Sequence, residues 1–115
     1  MELKINDKDY SFKFGVRFVR ELDKEMPIKN EGVDFGFGLN AKVIPELKMA
    51  NINTLSRLLY LASRTEKPKL SQEELDNYID DVDDIEALFD LVMKELSESN
   101  AGKLAVRNMD KQLKA

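Results

Sequence analysis

The stretch Glu2-Leu3-Lys4-Ile5-Asn6-Asp7-Lys8-Asp9-Tyr10-Ser11-Phe12-Lys13-Phe14-Gly15 decides the fold class. Leu3 and Ile5 alternate with Glu2 and Lys4, and Tyr10, Phe12 and Phe14 alternate with Ser11 and Lys13. Successive side chains of a strand point to opposite faces, so each half is a strand with one apolar face. Between them Asn6-Asp7-Lys8-Asp9 is a cluster of turn formers, which predicts a β-hairpin over residues 1–14. A lone hairpin is marginal in water, so its aromatic face must pack on other elements.

Gly15 marks a change of period. Phe18, Val19, Leu22 and Met26 come next at helical spacing, with Arg17, Arg20, Glu21 and Lys24 on the outer face, and Pro27 ends that helix. Val33, Phe35, Phe37 and Leu39 alternate among Gly32, Gly36 and Gly38, a short irregular strand or a loop. Asn40 to Ala50 predicts a short helix limited by Pro45, and Asn51 or Asn53 can cap the next, whose stripe is Leu55, Leu58, Leu59 and Ala62. Lys67-Pro68-Lys69 is a linker. Ser71-Gln72-Glu73-Glu74 fits a capping box ahead of Leu75, Tyr78, Ile79 and Val82. Asp83 or Asp84 can cap a further helix with Ile85, Leu88, Phe89, Val92 and Leu96 inward. Ser97-Glu98-Ser99-Asn100 is a break. The expected fold is α+β and predominantly α-helical, an N-terminal β-hairpin packed against about four to six helices. Residues 1–99 are expected as a single globular domain, and 100–115 as a basic C-terminal tail, a loosely attached helix.

Composition excludes more than it identifies. The chain has 115 residues, 43% apolar and 35% charged, enough for one ordinary core and a well-solvated surface. Neither a secretory signal nor an apolar run of roughly 20 residues is present, so neither secretion nor a membrane span is expected. The chain contains no Cys and no His. That removes disulfides, thiolate chemistry, the usual general base near neutral pH and the commonest zinc ligands. None of its serines has a His partner, so a serine hydrolase triad of the usual kind cannot be built. No catalytic residue, cofactor or metal is expected, and the chain is read as a binding protein.

Net charge is -4, which is not the electrostatic footprint of a nucleic-acid binder. The charge is unevenly spread. No Lys or Arg occurs between Lys69 and Lys94, whereas Lys103, Arg107, Lys111 and Lys114 face Asp110 alone in the tail. The acidic segment holds Asp80, Asp81, Asp83, Asp84 and Glu86. A calcium loop needs a Gly at its sixth position and a Glu at its twelfth; no Gly is here, and Val82 and Ile85 sit at core spacing. A solvated corner between two helices, with capping aspartates, is the simpler reading. The glycines at 32, 36 and 38 match neither a dinucleotide fingerprint nor a P-loop. Phe35 and Phe37 are either core residues or part of an apolar partner-binding surface.

The order of these features resembles the tail assembly chaperones of long-tailed phages that infect Gram-positive bacteria. The resemblance is carried by Met1-Glu2-Leu3-Lys4-Ile5-Asn6, Tyr10-Ser11-Phe12-Lys13-Phe14-Gly15, Phe18-Val19-Arg20-Glu21-Leu22 and Gly36-Phe37-Gly38-Leu39. It continues through Leu58-Leu59-Tyr60-Leu61-Ala62-Ser63-Arg64-Thr65, Ser71 to Asp80, and Ile85-Glu86-Ala87-Leu88-Phe89. It covers roughly Met1 to Leu96, and the turn carries Asp7 where Gly is the expected residue.

The resemblance implies a protein made in the cytoplasm of the infected host cell that binds the phage tape measure protein, a long, apolar, helical client. It keeps that client soluble until tail tube subunits polymerise around it, and it is absent from the mature virion. A longer frameshifted form is implied to recruit the tail tube protein. A homo-oligomer is compatible with the chain, and the alternative is a structural tail or head-completion subunit retained in the virion. The expected partner-binding residues are Phe35, Phe37 and Leu39 for the client's apolar face. Asp80, Asp81, Asp83 and Asp84 would serve solubility or attract basic stretches of the client. Phe35→Ser combined with Phe37→Ser is expected to lower the soluble yield of coexpressed tape measure protein while the circular dichroism spectrum stays native. Unchanged yield would remove that segment from the client contact.

Overall fold

The computed structural model describes residues 1–25, 43–104 and 107. It is α+β and mainly helical, with the expected antiparallel hairpin at its start. Strand β1 (Glu2–Ile5) pairs with β2 (Lys8–Ser11), with Leu3 opposite Tyr10 and Ile5 opposite Lys8. That register leaves Asn6 and Asp7 as a two-residue turn, at φ 53° and 64°. A tight hairpin of the primed type needs positive φ at both central residues, and Asn and Asp tolerate it better than other non-glycine residues. Main-chain pairing continues past the strands. Phe12 N–H donates to the Met1 carbonyl at 2.8 Å, and the Met1 amino group donates to the Phe12 carbonyl at 3.0 Å. Leu3, Ile5, Tyr10, Phe12 and Phe14 are all buried, so the alternation read from the sequence is the alternation of burial.

Helix α1 (Val16–Glu25) starts directly after Gly15 and buries Phe18, Val19 and Leu22. Phe14 and Phe18 meet edge to face, ring centroids 5.2 Å apart, which joins the hairpin's exit to the first turn of α1. Met26 and the Gly- and Phe-rich segment lie outside the described residues. Helix α2 (Ile44–Lys48) carries Pro45 in its first turn, where the missing N–H costs nothing. Ala50, at φ 57°, reverses the chain. Asn51 then accepts from Thr54 N–H at 3.1 Å and caps α3 (Ile52–Ser63), which settles the choice between Asn51 and Asn53.

Helix α3 is the centre of the fold. Leu55, Leu58, Leu59, Leu61 and Ala62 are completely buried, and Thr54, Ser56 and Ser63 nearly so. It packs against α1, α2 and α4 (Gln72–Asp81). Its C-terminal turn also holds the hairpin, because Lys13 N–H donates to the Ala62 carbonyl at 2.9 Å. Fully burying one such Leu contributes about 1.5–3 kcal/mol. The stripe read from sequence omits Leu61, because that reading assumes one apolar face and this helix is enclosed on more than one.

Polar groups strap the helices together where α3 needs them. Gln72 on α4 donates to Ser56 Oγ at 2.7 Å and to Asp76 at 3.1 Å, and accepts from Arg57 at 2.6 Å. Ser56 also bonds Asp76 and Arg57 bonds Glu25 of α1, so the buried hydroxyl of α3 is satisfied. Arg57 and Arg64 both approach the Tyr60 ring, at 5.2 and 5.8 Å from its centroid. Helix α4 opens with the expected capping box: Ser71 Oγ accepts from Glu74 N–H and Glu74 accepts from Ser71 N–H. Asp84 accepts from Ala87 N–H at 3.0 Å and caps α5 (Ile85–Glu98), which buries Leu88, Val92 and Leu96.

The break after α5 is a tight reversal. Ser99 ends α5 and caps the next helical turn: its Oγ accepts from Gly102 N–H at 3.0 Å, and its carbonyl from Lys103 N–H at 2.8 Å. Residues 100–104 are helical, and Ala101 packs against the core. Gly102 lies so close to α5 that a Cβ there would stand 1.6 Å from the Leu96 carbonyl oxygen. Gly102→Ala is therefore expected to destabilise the protein by about 1–3 kcal/mol, as overpacking does. A thermal melt would show a lowered midpoint, and limited trypsin digestion would show faster cleavage at Lys103. An unchanged melt would mean that the segment does not pack in this way.

Candidate functional site

Among the described residues, two concave surfaces stand out once these elements have packed. The first, about 690 Å³, lies between the hairpin exit and the end of α5, where Phe14, Val16 and Ala101 meet both signs of charge: Lys13 and Arg17 against Glu66, Glu95 and Glu98. Mixed charge favours no one class of partner. The second, about 560 Å³, lies where β1, α4 and the start of α5 come together.

The second groove is built from the elements upward. Leu3 and Ile5, held inward by the hairpin pleat, form its floor with Leu88 from α5. Half-buried Tyr78 and Val82, with Leu91 at 37% exposure, form apolar walls. Glu74, Asp81, Asp83 and Asp84 stand around it, with Asn6 and Asn77. Among the described residues that line it, none is basic. Along α4 the lining runs from Glu74 to Asp81, and along α5 it reaches Leu91 from the cap at Asp84. Each of these spans rises roughly 10 Å, the length over which a helix presents anchors at i, i+4 and i+7. An open trough of this length with an apolar floor and an acidic surround suits the apolar face of a helix bearing basic side chains.

The electrostatics of α4 sharpen this. A helix C-terminus is the negative end of its dipole and favours basic residues. The last turn of α4 instead holds Asp80 and Asp81 and no basic residue, and its C-cap Val82 turns out to an extended conformation. Asp81 and Val82 belong to the groove, so the unfavourable end of α4 forms part of its wall. Among the described residues, no cation pairs with Asp81 or Asp83. The carboxylates are nevertheless too dispersed to chelate: no group of three among the described residues is placed to hold a metal ion.

The structure thus divides the residues singled out from sequence. Asp81, Asp83 and Asp84 come together at the groove. Asp84 is also committed to capping α5, and Asp80, exposed on α4, is not part of the lining. Phe35, Phe37 and Leu39 lie outside the described residues. Sequence reasoning missed Leu3, Ile5, Tyr78, Val82 and Leu88 as groove residues because their periodicity marks them as core. Leu91 did carry a signal. It falls off the inward stripe of α5, beside Asp90, and is a large apolar side chain left at the surface.

Comparison with known proteins adds the family. The family model described as phage tail assembly chaperone protein, TAC, matches residues 2–111. Comparison with curated proteins and comparison with solved structures each gave no significant match.

The misplaced charges of α4 yield a prediction about stability. Asp80→Asn combined with Asp81→Asn is expected to raise the thermal midpoint, with a gain of about 0.5 kcal/mol for each charge removed from the helix C-terminus. The gain should shrink as salt is added. A lowered midpoint would show that these carboxylates are stabilising partners of the fold.

Proposed function

Because the chain belongs to the phage tail assembly chaperone family across residues 2–111, we propose that it binds the phage tape measure protein and keeps it soluble until the tail tube polymerises. The span of that match carries the proposal, since it includes the hairpin, helices α1 to α5 and the segment around Phe35 and Phe37. The physical chemistry supports it. The client is a long apolar helical protein, and its holder needs apolar contact surface together with a charged exterior. The exposed faces of α4 and α5, with Glu73, Asp80, Glu86 and Asp90, supply such an exterior.

Client contact is assigned to the Gly-flanked Phe35, Phe37 and Leu39 and to exposed helix faces. Release on tube assembly requires many modest contacts in place of one deep anchor. The protein acts without catalysing a reaction, in the cytoplasm of the host cell, and leaves before the virion matures. A longer frameshifted form would bring in the tail tube protein. Among the described residues, no helix is long and apolar enough to cross a membrane.

Coexpression with the tape measure protein of the same phage tests the proposal. The soluble fraction of that client should rise severalfold, and mass spectrometry of purified virions should find the client and not the chaperone. No gain in solubility would overturn the proposal. The chaperone at stoichiometric amounts in virions would replace it with a structural subunit.

A further inference from the structure

The groove beside β1 has three properties that together select an occupant. Its floor of Leu3, Ile5 and Leu88 is apolar, and Leu91 on its wall stays partly in water. Its charge has one sign: from Glu73 to Asp90 the sequence holds nine acidic residues and no Lys or Arg. Its carboxylates have a helical spacing, because Glu74 and Asp81 both line it and stand seven residues apart on α4, about 10 Å along one face. Several acidic side chains nearby already serve the fold. Asp76 accepts from Gln72, Glu74 from Ser71 N–H, and Asp84 from Ala87 N–H, where it also answers the positive end of α5. Asp81 and Asp83 pair with no cation among the described residues, and they lie at the negative end of α4.

Starting from the reading of this protein as a holder of the tape measure protein, we propose that the groove seats those stretches of the client that are both helical and basic. The apolar residues of such a stretch, at i, i+4 and i+7, lie on the floor against Tyr78 and Leu91. Lys or Arg side chains seven residues apart on its flank reach Glu74 and Asp81, with Asp83 beside them. A helix repeats its face about every seven residues, as α4 does, so one register brings a cation to each carboxylate. The ion pairs sit at an open rim and are individually weak, which suits a contact that must later be given up. The groove thus adds a second contact to the one assigned to Phe35, Phe37 and Leu39. It also names the part of the client that is held there: its basic amphipathic stretches, and not its most apolar ones.

Two measurements on the full-length protein test this. In the first, fluorescence anisotropy follows a labelled synthetic helix of Leu and Lys, with Leu at i, i+4 and i+7, and a counterpart with Glu in place of Lys. The Leu–Lys helix should bind at about 50 mM salt and weaken at about 500 mM, because exposed ion pairs are screened. The Leu–Glu helix should not bind. Asp81→Asn with Asp83→Asn should weaken binding about tenfold, as loss of two surface ion pairs implies. Leu91→Ser should weaken it severalfold without changing charge. Asp80→Asn with Asp90→Asn, the same charge change outside the groove, should leave it unaltered. In the second measurement, coexpression with the tape measure protein, the Asp81→Asn/Asp83→Asn variant should keep less client soluble than the wild type, and the Asp80→Asn/Asp90→Asn variant as much. Thermal melts confirm that each variant is folded. Equal effects of the two Asp pairs, or a Leu–Glu helix bound as tightly as Leu–Lys, would overturn the inference and leave the tape measure reading standing. Binding gained only in a chain ending at Leu104 would give the groove to the chain's own basic tail and overturn it as well. A wild type that binds the Leu–Lys helix but keeps no client soluble would overturn the tape measure reading, and this occupant with it.

Discussion

Among the described residues, the burial of α3 sets where its neighbours α1, α2, α4 and the hairpin lie. A helix of 12 residues that places Leu55, Leu58, Leu59, Leu61 and Ala62 out of contact with water must be surrounded. Its neighbours α1, α2 and α4, together with the hairpin, surround it. The cost of enclosing its polar side chains is met locally. Ser56 is held by Gln72 and Asp76, Ser63 donates to the Tyr60 carbonyl at 2.7 Å, and Thr54 bonds Glu46. Of these, the bonds from Ser56 to Gln72 and Asp76 tie α4 to α3. The groove lies where α4 ends beside β1 and α5 begins, with buried Leu3 and Ile5 at its floor.

The elements governed by local chemistry were legible in the sequence. Ser71 and Glu74 form a capping box wherever the backbone enters a helix at that point, and Asn6-Asp7 tolerates positive φ without help from the rest of the chain. Alternation and helical stripes named most of the core from Leu3 to Leu96. The relation between elements could not be read. Leu61 lies off the main stripe of α3, and only the packing around that helix shows why it is buried. Asp80 and Asp81 are adjacent and chemically identical in sequence, yet one turn angle separates a residue on the groove from one facing away. Ser56, Gln72 and Asp76 read as ordinary helix-surface residues until α3 and α4 are brought together.

The acidic end of α4, like that of α5 with Glu95 and Glu98, sets carboxylates where the helix dipole disfavours them. The N-caps at Asn51, Ser71 and Asp84 obey the rules that stabilise helices. The C-terminus of α4 breaks them, in a region that also leaves Leu91 partly in water. Natural sequences are locally consistent except where another requirement intervenes. Two features at one groove, one electrostatic and one hydrophobic, thus depart from local optimality together.

The reversal at Ser99 and Gly102 has a geometric consequence. Backbone lies against backbone there, with no side chain as a spacer, and Ser99 Oγ holds the Gly102 N–H at the reversal. A single methyl group added at Gly102 would have to push the helical turn of residues 100–104 off α5, so the seat of Ala101 on the core depends on its absence.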